Sequence, residues 1–397
     1  MERLSKRVQN LGYSKTFVVS NKVREMKANG VDVISLTLGE PDFDVPQNIK
    51  ASAEKAIEEN YSHYSPVAGF LELREAVCHK LKRDNDLDFK PNQICVSNGA
   101  KQSITNVFLA ILNDGDEVIV PKPYWVSYEE MVKMAGGKPV FVETDLEHHY
   151  KMTPDQLKDA ITPKTKAILY SSPCNPSGSF YTKEELEGLA KVIEQYPQIT
   201  VISDEIYEYI NYEGKHASIA SFSAIKDQVV VINGMSKGFA MTGWRLGYSA
   251  SPEWLAKSVE KIQGQVTSGA NTIAQRAAIT ALNTDYSEYQ YMVKEFKKRR
   301  DLIFNLIQEI PHFKMEKPQA AFYAFPDISY YIGKKLGDTR IEDADDFALF
   351  LLEKAFVGCV GGDSFGAPNC IRFSYATSES QIIEAMTRIK HLLAEFA

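Results

Sequence analysis

The chain has 397 residues, 44% of them hydrophobic and 24% charged, with a formal net charge of −7. That length corresponds to two or three domains and can bury a core without disulfides or structural metal. The composition excludes a disordered, collagen-like or coiled-coil chain, and the mild acidity leaves no general basic footprint for nucleic acid.

The first seven residues, Met1-Glu2-Arg3-Leu4-Ser5-Lys6-Arg7, are charged and no apolar core follows them, so no secretory signal is expected. Between residues 47 and 281 the pattern alternates. Helical periodicity is read over 47–59, 70–84, 100–112, 183–196 and 271–282. In the third of these, Ile104, Val107, Phe108 and Ile111 keep the i, i+3, i+4, i+7 rhythm. Short runs rich in β-branched residues lie between, at 94–97, 117–120, 140–142, 167–171, 200–203, 229–233 and 246–250. This alternation predicts an α/β fold with a mostly parallel sheet flanked by helices. From residue 286 a charged helical stretch runs to about 309, and its basic run Lys297-Lys298-Arg299-Arg300 reads as a solvated helix face. Strand candidates 322–325, 356–360 and 371–375 and helices 344–354 and 380–396 then suggest a smaller α+β domain. The division expected is 1–46 as an N-terminal segment joining the small domain, 47–284 as the large domain and 285–397 as the small one.

No apolar run approaches the ~18 residues of a membrane span. The five cysteines are odd in number and lack any CxxC, which suggests neither a disulfide framework nor a zinc cluster and points to a reducing cytoplasm. The seven histidines show no HExxH spacing, so no metal is expected, and His148-His149 reads as a surface turn. No GxGxxG follows the first predicted strand, which disfavours a nicotinamide dehydrogenase. Gly361-Gly362-Asp363-Ser364-Phe365-Gly366 has neither that spacing nor the helix and reads as a loop in the second domain.

Four segments put reactive residue types just past predicted strands, where ligands gather in open α/β sheets. Asp204 closes the strand before Glu205-Ile206-Tyr207; a buried carboxylate there needs a cation or a donor, although the segment alone also reads as a helix cap. Lys237, in Gly234-Met235-Ser236-Lys237-Gly238-Phe239, follows the strand 229–233. A desolvated lysine loses basicity and becomes a nucleophile, whereas an exposed loop lysine is the plainer reading. Arg245, eight residues on in Met241-Thr242-Gly243-Trp244-Arg245, suits either a phosphate or a structural acid. Pro173-Cys174-Asn175-Pro176-Ser177-Gly178 is turn chemistry that would present the Asn175 amide to a ligand.

Together these segments resemble the class I aminotransferases, pyridoxal-phosphate enzymes of fold type I, and most closely the bacterial branch of aspartate aminotransferases. Leu38-Gly39-Glu40-Pro41-Asp42-Phe43 and Arg372-Phe373-Ser374-Tyr375-Ala376 extend the match across almost the whole chain in the family's order. The resemblance implies that Lys237 forms the Schiff base with the cofactor aldehyde and moves protons at the substrate α-carbon. It implies that Asp204 pairs with the pyridinium nitrogen and that Asn175 and Tyr207 donate to the ring's phenolate oxygen. Backbone N–H groups of Gly99, Ala100 and Lys101, with Ser236 and Arg245, would hold the phosphate. Tyr64 resembles the tyrosine that reaches the phosphate from the neighbouring subunit, which implies a homodimer with shared sites. Trp125 matches the aromatic stacked on the pyridine ring. Arg372 and Gly39 would hold the substrate α-carboxylate.

For substrate choice, Lys101 carries most weight. In the bacterial branch a lysine here is associated with the distal carboxylate of aspartate or glutamate, and an unpaired lysine would reject apolar amino acids. It also suits a role toward phosphate or solvent alone. The polar cluster Ser14-Lys15-Thr16 is a second candidate, for dicarboxylates or for prephenate. Cys174 stands where asparagine is usual and Ser177 where threonine is, both read as packing changes. The expected reaction is transamination from aspartate to 2-oxoglutarate. The alternatives are an aromatic or prephenate aminotransferase, a C–S β-lyase, or a ligand-binding regulator, the last disfavoured because 38 residues before Gly39 are too few for a helix-turn-helix domain. No nucleic-acid or membrane partner is expected.

Overall fold

The structure, a computed structural model, describes residues 3–12 and 15–396, with residues 15–18 described for their backbone alone. Runs of β-branched residues bury both faces of a central sheet. Its strands are β2 (Ile94–Ser97), β3 (Glu117–Pro121), β4 (Lys138–Val142), β5 (Thr165–Ser171), β6 (Thr200–Asp204), β7 (Val229–Gly234) and β8 (Gly247–Ala250), preceded in the chain by the two-residue strand β1 (Ile34–Ser35). The seven are ordered β2-β8-β7-β6-β5-β3-β4. All neighbours pair in parallel except those of β8, which is antiparallel to both β2 and β7. Both faces are covered, one by a core that includes Ile168, Val201, Val229 and Val231, the other by one that includes Leu169, Ile202, Val230 and Ile232. Alternate residues of the same strands thus feed opposite cores, as a two-faced sheet requires.

The remaining strands are β9 (Tyr323–Ala324), β10 (Lys335–Leu336), β11 (Thr339–Arg340), β12 (Val357–Gly358), β13 (Val360–Gly361) and β14 (Ile371–Ser374). β13, β14 and β9 form an antiparallel sheet, with Ser374 opposite Tyr323. The stretch read as one strand over 356–360 is two: β12 pairs with β1 in parallel, and β13 turns to β14. Ile34 and Leu36 share a core with Phe347, Val357, Ile371 and Ile389. The Ser14-Lys15-Thr16 cluster lies outside the residues whose side chains are described.

The basic run corrects the sequence reading. Lys297 and Lys298 are exposed, but Arg299 and Arg300 are buried on the helix Gln290–Gln308. Arg299 pairs with Asp42 at 2.7 Å and lies over the Phe43 ring, while Arg300 pairs with Glu213 at 3.2 Å and lies over Tyr212. The buried guanidiniums are thus matched by carboxylates from segments far away in sequence, which meets the condition for burying charge. His148 and His149 do sit in an exposed turn. Among the described residues no helix is long and apolar enough to cross a membrane.

Candidate active site

The carboxyl ends of β6 and β7 open into a cavity of ≈ 480 Å³. It brings together Gly39, Ala100, Lys101, Trp125, Asn175, Asp204, Tyr207, Ser236, Lys237, Arg245 and Arg372, which the sequence supplies from eight separate segments. Gly99 stands directly behind Arg245. Its φ is +85°, and a Cβ there would lie 2.5 Å from Arg245 Nη2. The backbone conformation favours the glycine, and its lack of a side chain lets the guanidinium lie close against the turn. The helix Ala100–Ile111 begins on Gly99 with no side chain capping it, which leaves the N–H groups of its first residues without an intrahelical partner. β7 and β8 approach closely at Gly234, where a Cβ would meet Gly247 Cα at 2.7 Å. This contact brings the Ser236–Lys237 loop beside Arg245, whose Nη1 donates to the Thr242 carbonyl at 2.9 Å.

Lys237 forms part of the cavity wall. Its Nζ donates to the Gly39 carbonyl at 2.5 Å and lies 5.7 Å from the Tyr207 ring centroid. Burial pushes its amine down to about 8; Glu40 opposes the shift, and the cations Arg372 and Arg245 reinforce it. Asp204, at the end of β6, is buried and accepts from the Tyr128 hydroxyl at 2.6 Å and from the Ile206 N–H at 3.3 Å. Burial raises its carboxyl to about 6 despite these donors. Arg372, on β14, donates to Asn175 Oδ1 at 2.9 Å and to the Thr37 carbonyl at 2.6 Å, and its guanidinium lies between the Tyr323 and Phe365 rings. Its Nε is buried without a partner. The Asn175 loop is clamped by the chain at 319–320, since Gln319 and Ala320 both donate to the Gly178 carbonyl. Cys174 is buried in that loop, consistent with a packing role.

Lys101 lies 4.8 Å over the Trp125 ring, and burial together with Arg245 lowers its basicity. Trp125 packs edge-on against Tyr128. Tyr64 is not in the cavity of its own chain; it projects from the surface at 97% exposure. Tyr128, Tyr323, Glu40 and Thr242 line the cavity and were not singled out from sequence. Trp125 lies in the turn before the helix Ser127–Met134, and the Tyr128 N–H donates to its carbonyl at 2.9 Å.

Behind Asp204, ligand atoms of Glu205, Glu208 and His216 lie within 4.8 Å of one another. Glu205 already accepts from Ser203, Ser218 and His216, and Glu208 meets Lys80 and Asn85. The cluster is a buried polar network with its own cation.

The chain matches the family described as aminotransferase class I and II over residues 31–389. An aspartate aminotransferase of Bacillus sp. (strain YM-2) is 47% identical over 390 residues, covering 98% of each chain. An aspartate/prephenate aminotransferase of Nitrosomonas europaea is 42% identical over 396 residues, covering 99% of this chain and all of the relative. The solved aspartate aminotransferase of Thermus thermophilus with maleate superposes with a TM-score of 0.93 at 40% identity, covering 99% of this chain and 100% of that one.

Proposed function

The chain belongs to the class I and II aminotransferases, enzymes dependent on pyridoxal 5'-phosphate, and we propose that it transfers the amino group of aspartate to 2-oxoglutarate, giving oxaloacetate and glutamate. The residues present fit that cofactor. The cradle at Gly99, which a Cβ would fill, faces Arg245 and an uncapped helix start and suits a phosphate. A buried carboxylate suits a cationic ring nitrogen, and a desolvated amine suits an aldehyde.

Gly99, Ala100, Lys101, Ser236 and Arg245 would hold the phosphate, Asp204 the ring nitrogen, Trp125 the ring face, and Asn175 and Tyr207 the phenolate oxygen. When bound, the cofactor supplies a carbonyl carbon to carry the amino group and an electron-withdrawing ring to accept charge from the substrate α-carbon. Lys237 takes the proton from that carbon and delivers it on the same face; an amine titrating near 8 is available as a base close to neutral pH. Arg372 and the Gly39 backbone hold the α-carboxylate and orient the Cα–H bond. Lys101 receives the distal carboxylate, and its position over Trp125 inside the same cavity as Arg372 is the observation that carries the dicarboxylate assignment.

The exposure of Tyr64 supports its reaching a second copy's phosphate, hence a homodimer with shared sites. The segments 1–46, 47–284 and 285–397 serve as the N-terminal, large and small portions; the β1–β12 pairing supports the first joining the third. The five cysteines are free and buried, which supports a reducing cytoplasm. The test is a donor–acceptor panel with the cofactor-loaded protein that includes aspartate, phenylalanine, prephenate and a sulfur amino acid. Turnover with aspartate and 2-oxoglutarate is expected, and Lys101→Met should lower kcat/KM for aspartate about tenfold or more while sparing phenylalanine. Activity confined to aromatic or sulfur substrates would refute the assignment.

A further inference from the structure

Tyr323 is fully buried on β9, in a cavity whose proposed chemistry gives it no task. Its hydroxyl is 2.6 Å from the hydroxyl of Tyr207, and the two rings meet edge-on with centroids 5.8 Å apart. A Cβ at Gly39 would collide with the same hydroxyl, so the glycine leaves room for it. The Arg372 guanidinium lies 4.7 Å from the centroid of the ring. Tyr323 thus touches Tyr207 through its oxygen and Arg372 through its face.

We propose that Tyr323 is a positioning residue that acts through Tyr207: its hydroxyl donates to Tyr207 and so strengthens and aims the hydrogen bond Tyr207 makes to the cofactor's phenolate oxygen. This rests on the aminotransferase reading above. The direction follows from counting protons. A phenol has one O–H. When Tyr207 spends its own on the cofactor oxygen, the bond between the two tyrosines has to be donated by Tyr323. A donor behind a donor polarises it, so the chain of two is stronger than Tyr207 alone. The arrangement also fixes the Tyr207 ring from the small-domain sheet, because Tyr323 is held in register with Ser374 on β14. The charged groups bearing on the pair are Arg372 and Asp204, with the Lys237 amine over the Tyr207 ring. None of these is removed when only the Tyr323 hydroxyl is deleted.

Donation to the phenolate oxygen lowers the proton affinity of the bound chromophore, so losing part of that donation raises it. The experiment compares wild type, Tyr323→Phe, Tyr207→Phe and the double variant, each loaded with pyridoxal phosphate, by following visible absorbance against pH. Tyr323→Phe should raise the midpoint by about 0.3–1 pH unit, the scale of a weakened neutral hydrogen bond. Tyr207→Phe should raise it further, and the double variant should match Tyr207→Phe alone, because a residue acting through Tyr207 has nothing to add once that hydroxyl is gone. The retained ring keeps its contact with Arg372, so the dissociation constant for a dicarboxylate inhibitor such as maleate should stay within about twofold. A Tyr323→Phe midpoint equal to wild type, or a double variant showing the sum of the single shifts, overturns the proposal. A change in thermal stability alone does so too, since it marks a packing role. Wild-type protein that binds no pyridoxal phosphate would instead defeat the reading of function itself.

Discussion

Replacing Lys237 by methionine should change the stability of the cofactor-free protein in a pH-dependent way, and the sign is set by burial. The amine titrates at about 8 in the folded chain against an ordinary value of 10.5. Below pH 8 both states carry the charge, and the folded state bears the full cost of burying it. That difference corresponds to about 3 kcal/mol, an upper figure because part of the side chain is reached from the cavity. Between pH 8 and 10.5 the unfolded chain binds a proton that the folded chain does not, so wild-type stability from this group rises with pH, by about 1.4 kcal/mol per unit at most. Methionine has no such term. It also loses the Nζ bond to the Gly39 carbonyl, a cost of about 1–2 kcal/mol that is much less dependent on pH. The net expectation is a variant more stable than wild type by about 1–2 kcal/mol near pH 7, with the advantage vanishing and then reversing as pH climbs toward 10. Urea unfolding of both cofactor-stripped proteins at equal concentration from pH 6.5 to 10 measures this. The slope is diagnostic and the offset is not: a stability difference that stays constant across the range would show that the folded amine is not depressed, and the argument for its availability as a base would fail with it.

Three further outcomes follow from the same cavity. Asp204 has to be ionised to meet a ring cation, and burial holds it at about 6, so affinity for pyridoxal phosphate should fall as pH drops through that value. Tyr128→Phe removes a donor that lowers the Asp204 pKa, which should move the fall upward by about 0.5–1 pH unit; fluorescence titration from pH 5 to 8 checks both, and a shared edge for the two proteins contradicts the role given to Tyr128. Gly99→Ala strains a backbone at φ +85° and drives a methyl against Arg245 Nη2, so pyridoxal phosphate should bind about tenfold or more weakly while unphosphorylated pyridoxal is little affected. Equal losses for the two ligands would detach Gly99 from the phosphate.

The sheet was legible because its strands are short, β-branched and buried on both faces, a pattern that needs no knowledge of partners. The helix Glu253–Val266 was not, since its buried stripe is completed by Ala256 and Gln263 rather than by large apolar residues, which weakens the periodic signal. The run 297–300 misled for the opposite reason. Read as four like charges it is a surface feature, but Arg299 and Arg300 stand at i+3 and i+4 from Phe296, with Ile303 at i+7, and so belong to the buried face. Glu295 and Asp301 supply local partners, but the burial also draws on Asp42 for Arg299, 257 residues earlier, and on Glu213 for Arg300, which no local pattern announces. The site divides in the same way. Motifs named the lysine, the carboxylate and the arginines, because residue type at a strand end carries that information. The contacts that these groups make across the chain were not readable: Tyr128 on Asp204, Glu40 near the Lys237 amine, and Tyr323 on Tyr207 across 116 residues. Chemistry that depends on which residue is present is therefore readable from this sequence. Chemistry that depends on how far its protons are displaced, as in the basicity of Lys237, arises only where the chain returns to itself.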